Sequence, residues 1–120
     1  MSVKPTITEI EKICEKILKL IARQQDKDLK EACEPIILTY CALSVFLSQA
    51  IGNLKGESLE EKAQIKGIEK SCVRLHELIE IQYEAYDRRY QTLTSARLDA
   101  EIAIRDLLKH TNNLKTETVN

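Results

Sequence analysis

Acidic residues repeat at helical spacing in the second half of the chain: Glu77, Glu80, Glu84 and Asp87. Carboxylates at steps of three and four share a helix face, where they could carry out acid–base chemistry or hold two metal ions. A two-metal helical bundle also needs Glu-x-x-His elements. The histidines do not supply them, because His76 follows Val73 and His110 follows Leu107 at that distance. The pattern favours a solvated acidic stripe facing Lys or Arg across a coiled coil.

The four cysteines are poorly spaced for a zinc site: Cys14, Cys33, Cys41 and Cys72. No pair forms a Cys-x-x-Cys motif, and the chain has neither a Gly-rich phosphate loop nor a nucleophile elbow. Cys14 and Cys72 fall at apolar helical positions, where a thiol acts as a small hydrophobic side chain. We therefore predict a protein that is not an enzyme, has no cofactor or metal, and keeps reduced thiols in the cytoplasm.

A basic line recurs at four-residue spacing: Lys62, Lys66, Lys70 and Arg74. Such a line could contact anionic lipids or nucleic acid. Nearby acidic residues outnumber it and the formal net charge is −1, so we expect no nucleic-acid partner. Contact of Lys66, Lys70 and Arg74 with a membrane surface is kept as an alternative that is not favoured.

The composition predicts one all-α domain over residues 1–120. Aromatic residues make up only 4% of the chain, and three glycines and two prolines are few for a protein built on turns and sheets. The first helix is predicted over 6–25, because Thr6 and Glu9 have capping-box spacing and Ile7, Ile10 and Ile17 follow on one face.

The second helix is predicted over 35–54, a stretch without a charged residue. Pro35 suits a first helical turn, and Gly52 and Asn53 suit a helix end. The apolar run from Ile36 to Ile51 is short for a bilayer, which needs about 20 mostly apolar residues. We therefore expect a central helix that is buried on several sides.

A long third helix is predicted over 58–114, followed by a frayed tail over 115–120. Ser58 and Glu61 form a second capping box at its start. Seam residues then recur at alternating steps of three and four, which is typical of a coiled coil with one stutter. They are Ile65, Ile68, Cys72, Leu75, Ile79, Tyr83, Tyr86, Tyr90, Leu93, Arg97, Ala100, Ile104, Leu107, Thr111 and Leu114.

The helix lengths do not match. A continuous helix over 58–114 would be about 80–85 Å long, whereas helices of about 20 residues span only about 30 Å. The second half of the seam would then be exposed and would need a partner. The alternative is a break near Thr92–Ser95, where β-branched and hydroxyl residues cluster, giving a four-helix bundle.

The predicted function is a non-catalytic protein–protein interaction module, an adaptor or a subunit of an intracellular assembly. Its expected partner is a second copy, as a homodimer, or a helix of another protein. The expected interface is Tyr83, Tyr86, Tyr90, Leu93, Leu98, Ile102, Ile104 and Leu107, with Tyr residues typical of interface hot spots. For Tyr83 and Tyr86, simple filling of the seam is the favoured interpretation. The alternative function is a membrane-surface scaffold of the dimeric curved-bundle type.

Overall fold

The computed structural model describes residues 4–25, 30–85 and 90–119, which form four helices. They are α1 (Lys4–Gln25), α2 (Lys30–Gly52), α3 (Leu59–Ala85) and α4 (Tyr90–Val119). The described residues contain no strand, so the prediction of an all-α helical bundle is confirmed. α1, α2, α3 and α4 pack in a ring, each against the next, and α4 packs back against α1.

Neighbouring helices run in opposite directions. Tyr40 of α2 reaches Gln82 of α3, whereas Ser44, one turn later, lies beside His76. Gln64 near the start of α3 meets His110 near the end of α4. The result is an up-down-up-down bundle, 48 Å long and 20 by 19 Å across.

The single long helix predicted over 58–114 is wrong. α3 ends at Ala85, α4 begins at Tyr90, and the two helices pack against each other. The four-helix alternative has the right number of helices but the wrong break, because 92–95 lies inside α4. Folding back lets the two halves of the seam cover each other within one chain, which removes the apolar surface that a straight helix would expose.

Other predicted helix bounds also move. α2 begins at Lys30, before the predicted start, so Pro35 lies within the helix and its carbonyl accepts a 2.7 Å hydrogen bond from the Thr39 hydroxyl. α4 continues to Val119, past the predicted end, because Leu114 is buried and Lys115 pairs with Glu11 of α1 at 3.5 Å.

The second capping box has the predicted geometry. The Glu61 N–H donates to Ser58 Oγ at 3.0 Å, and the Ser58 N–H donates to Glu61 Oε1 at 3.1 Å. The Ser58 N–H stabilises the carboxylate and lowers the pKa of Glu61. α1, in contrast, begins at Lys4, so Thr6 lies inside the helix and does not occupy the predicted cap position.

The core holds one polar cluster among its isoleucines and leucines. Gln24 Nε2 donates to Gln82 Oε1 at 2.9 Å, and the Tyr40 hydroxyl contacts Gln24 Oε1 at 2.9 Å and also Gln82 Oε1. All three side chains are buried. Gln82 Nε2 has no hydrogen-bond partner within the described part of the chain. The cluster ties α1, α2 and α3 together at one level of the bundle.

α3 and α4 approach closely at Gly67. A Cβ atom added there would lie 2.7 Å from the imidazole of His110, which leaves no room for a side chain. His110 Nδ1 in turn shares a 2.8 Å hydrogen bond with Gln64 Oε1. Glycine at this position therefore allows the ring to lie flat against α3.

Candidate functional site

The outer face of α2 is apolar or uncharged from Pro35 to Gly52. We use this name for Leu38, Cys41, Ala42, Val45, Phe46 and Gln49, all of which are exposed. Leu38 is 48% exposed, Val45 50% and Phe46 58%. Such a row of large apolar side chains in water is typical of a surface that contacts another molecule.

The exposure of this face corrects the prediction of a centrally buried second helix. Among the described helices, α2 packs against α1 and α3 and not against α4. A helix at the corner of a four-helix bundle buries only one side, and here the buried side includes Ile37, Tyr40 and Leu47 at 0% exposure. Because Pro35 to Leu54 contains no charged residue, the opposite side remains apolar in water.

A groove runs between α2 and α3 beside this face. It has a volume of about 430 Å³ and is lined by Ser48, Ile51 and Gly52 of α2 and by Glu69, Cys72, Val73, His76, Glu77 and Glu80 of α3. Val73 is 60% exposed, and His76 Nε2 lies 3.2 Å from the Ser44 carbonyl oxygen of α2. Ile51 and Cys72 are buried at its floor, which is apolar, and the α2 residues that line it carry no charge.

The α3 side of the groove is acidic. Glu69, Glu77 and Glu80 are all exposed, and we call them the acidic rim. No Lys or Arg in the described part of the chain lines the groove. Arg74 pairs with Glu77 at 3.3 Å, but both side chains are more than half exposed, so the pair neutralises the rim only weakly.

Part of the predicted interface lies in the core. Leu93 is 5% exposed, and Ile104 and Leu107 are fully buried. In the folded chain these three side chains cannot reach a partner, because the fold-back of α4 covers them with the other helices. The three–four spacing marks positions that pack within the chain, not across a coiled coil between chains.

The remaining predicted interface residues are scattered. Tyr83 is 48% exposed near the end of α3, whereas Leu98 and Ile102 are 46% and 57% exposed on α4. Glu101 and Arg105, which lie on either side of Ile102 in the sequence, form an ion pair at 3.2 Å. Tyr86 lies outside the described residues, as does the side chain of Tyr90.

The proposed membrane contact and the acidic stripe are surface features. Lys66, Lys70 and Arg74 are exposed on α3. Glu77, Glu80 and Glu84 are exposed as well, whereas Asp87 lies outside the described residues. Only Glu77 and Glu80 from the predicted stripe line the groove, where they are joined by Glu69.

The described residues form no evident reactive centre. Burial raises the pKa of Cys14 to about 12 and that of Cys72 to about 11, which keeps both thiols protonated and unreactive. Within residues 4–25, 30–85 and 90–119, no three His, Cys, Asp or Glu side chains are grouped so that they could hold a metal ion.

One stretch in the described part of the chain, Glu34–Gly52, is long and apolar enough to cross a membrane, and 39% of it is buried in the bundle. Its length and composition alone do not separate a membrane helix from a core helix.

Sequence reasoning missed the outer face of α2 and the groove. The absence of charge from Pro35 to Leu54 is a signal for both, but it also predicts a central helix that is buried on several sides. Only the number of neighbouring helices decides between the two interpretations. Comparison with known proteins does not add a function: no family model, curated protein or solved structure matches the chain.

Proposed function

We propose that the chain is a non-catalytic protein–protein interaction module, an adaptor or a subunit of a cytoplasmic assembly. The observation that carries this proposal is the outer face of α2, where Leu38, Val45 and Phe46 are about half exposed. Covering such a face with a partner removes apolar surface from water, at about 25 cal/mol for each Å². The binding surface is therefore α2 and the groove beside it.

The cytoplasmic assignment is supported by the cysteines. Cys14, Cys41 and Cys72 are free thiols, and the first and last are buried in the core. Unpaired buried thiols are typical of proteins in a reducing compartment.

A membrane-surface scaffold is the second candidate function. The length and apolar character of Glu34–Gly52 favour it, with Lys66, Lys70 and Arg74 as candidate contacts to lipid head groups. Charge argues against placing the outer face of α2 on an anionic membrane, because the acidic rim lies next to that face and would be repelled.

The proposal is tested by photo-crosslinking in the cells from which the chain comes. A photo-reactive phenylalanine analogue replaces Val45, and a matched chain carries it at Leu98. The two positions are 50% and 46% exposed, so they meet solvent equally but lie on α2 and α4. We expect a protein adduct of defined mass from position 45 and none from position 98.

Two results would count against an interaction module. If neither position gives a protein adduct, or if both give the same diffuse set, the outer face of α2 does not bind a specific protein. Lipid adducts at position 45, together with sedimentation of the purified chain on anionic vesicles, would support the membrane scaffold instead.

A further inference from the structure

The groove between α2 and α3 carries a more specific inference, which rests on the proposed function. We propose that its occupant is an amphipathic helix of another protein, with an apolar stripe toward the groove floor and Lys or Arg along one edge. The cationic edge lies against α3 and the opposite edge, against α2, is uncharged.

The α2 side of the groove is suited to a helix. Ser48 and Gly52 line the groove, and Leu38, Cys41 and Val45 continue the same exposed row along α2 at steps of three and four. Residues at these steps form one straight ridge along a helix, and two such ridges leave a furrow into which a third helix packs. Ser48 and Gly52 are small, so a partner backbone can approach closely at that end.

The α3 side determines the charge of the partner. Glu69, Glu77 and Glu80 are exposed along the groove, and no described cation lines it. An apolar helix without charge would desolvate these carboxylates partly without compensation. Lys or Arg along the facing edge supplies opposite charge and directs the helix into one orientation.

A second copy of this chain fits the groove less well. The face that a second copy would bring to an apolar contact is its own outer face of α2, and this face contains no cation. The basic residues of α1 (Lys12, Lys16, Lys19 and Arg23) are exposed, but the large apolar residues among them, Leu18 and Leu20, are partly buried against the core. Neither surface combines an apolar stripe with a cationic edge. The α4 surface of a second copy exposes Leu98 and Ile102, but the neighbouring Arg105 is already paired with Glu101 at 3.2 Å.

The groove is open to solvent but has room for side chains. Its volume of about 430 Å³ lies within the range of sites that bury a ligand, about 300–1,000 Å³. Ile51 and Cys72 form its apolar floor, with 6% exposure each. Leucine-sized side chains from a docked helix would fill this space and remove Val73 from water.

The test uses the purified full chain and a dye-labelled 18-residue helical peptide of Leu and Lys, with Leu along one face and Lys along one edge. A second peptide has Glu in place of every Lys. Binding is followed by fluorescence anisotropy at two salt concentrations. We expect the Lys peptide to bind, the Glu peptide not to bind, and affinity to fall as salt rises.

Variants of the chain locate the site. Glu69, Glu77 and Glu80 are changed together to Gln, and a matched triple variant carries Glu9→Gln, Glu15→Gln and Asp106→Asn. Both variants lose three negative charges at exposed positions, but only the first touches the groove. We expect about a tenfold weakening for the groove variant, from the loss of three charge contacts, and less than a twofold change for the matched control.

A steric variant gives an independent readout. Ser48→Trp fills the groove from the α2 side, and Ser95→Trp adds the same side chain to an exposed position of α4. We expect Ser48→Trp to abolish peptide binding and Ser95→Trp to leave it unchanged. Helicity and melting temperature of each variant show whether the chain is folded.

Several results would overturn the cationic helix as occupant. They are equal binding of the two peptides, equal weakening by the two triple variants, or unchanged binding in Ser48→Trp. Light scattering adds another: a species of twice 13.7 kDa that disappears in Ser48→Trp would assign the groove to a second copy. If position 45 still gives a specific protein adduct in any of these cases, the interaction module stands and only the occupant is wrong.

Discussion

α1 and α2 lie side by side and bury their inner faces equally well, yet their outer faces differ in kind. Ile17 of α1 and Leu47 of α2 are both at 0% exposure. On the outer side, α1 exposes Lys12, Lys16, Lys19 and Arg23, whereas α2 exposes leucine, valine and phenylalanine side chains. Both helices contact two neighbours in the same bundle, so the fold itself does not require this difference.

The two outer faces differ in whether the bundle alone accounts for their residues. A charged outer face, as on α1, keeps a helix soluble and specifies which side is buried. An uncharged outer face, as on α2, adds nothing to the bundle and carries a risk of aggregation. Its presence on a helix with a normal core face indicates that another molecule covers it.

The largest expected effects lie on the two inner faces. Ile17→Ala and Leu47→Ala should each lower the free energy of unfolding by about 2–5 kcal/mol, because each leaves a cavity in a fully buried site. Phe46→Ala and Lys16→Ala, on the two outer faces, should change it by less than about 1 kcal/mol. Urea titrations of the four variants measure this. A loss at Phe46 as large as that at Leu47 would show that the outer face of α2 supports the fold.

The next effect concerns the polar cluster, where the inner faces of α1 and α2 meet through hydrogen bonds. Tyr40→Phe removes the hydroxyl that contacts Gln24 and Gln82, leaving buried amide oxygens with fewer donors. We expect a loss of about 1–3 kcal/mol in the free energy of unfolding. Thr39→Ala is the control, because it removes an exposed hydroxyl of the same helix. Equal losses from the two changes would contradict a structural role for the polar cluster.

A smaller effect tests the close approach of α3 and α4 at Gly67, away from the faces of α1 and α2. Gly67→Ala gains about 1 kcal/mol of helix propensity. When His110 is present, the added Cβ displaces its ring and breaks the hydrogen bond between His110 and Gln64. Because that bond is worth about 1 kcal/mol, the gain in stability should vanish. In a His110→Ala background the same change should stabilise the chain by about 1 kcal/mol. The same stabilisation in both backgrounds would argue against the close approach.

The smallest effect leaves stability unchanged and compares one thiol from each face. Cys41 is exposed on the outer face of α2, whereas Cys14 is buried on the inner face of α1 with a pKa raised to about 12. At pH 8, iodoacetamide should modify Cys41 rapidly and Cys14 only when the chain unfolds. Peptide mass spectrometry of samples taken over time reports both rates. Rapid modification of Cys14 in the folded chain would be inconsistent with the assigned faces.

Much of the helical pattern was predictable because it depends on local chemistry. Ser58 and Glu61 are three residues apart and cap α3 as expected, and Ile65, Ile68 and Leu75 lie on its buried side. The three–four spacing after Tyr90 also identified buried positions such as Ala100 and Ile104. These features follow from the 3.6-residue repeat of a helix, which the spacing of apolar residues along the sequence matches.

The candidate site was not predictable in the same way. An uncharged helix from Pro35 to Leu54 is compatible with a buried centre, a membrane span or a helix with one exposed side. The groove depends on the distance between α2 and α3, and its acidic rim draws on Glu69 as well as two members of the predicted acidic stripe. Neither the distance between two helices nor the set of residues that face each other across it follows from residue spacing along one helix.

The order of amino acids by itself determined that the chain is helical, which side of α1 is buried, where α3 begins and which residues of α4 pack. Each of these depends on residues within a few turns of one another. Only the tertiary structure decided that the seam folds back on itself and that α2 keeps one side in water. Those outcomes depend on how many neighbours a helix has, and the neighbours are set by the packing of α4 against α3 and α1, far along the chain from α2.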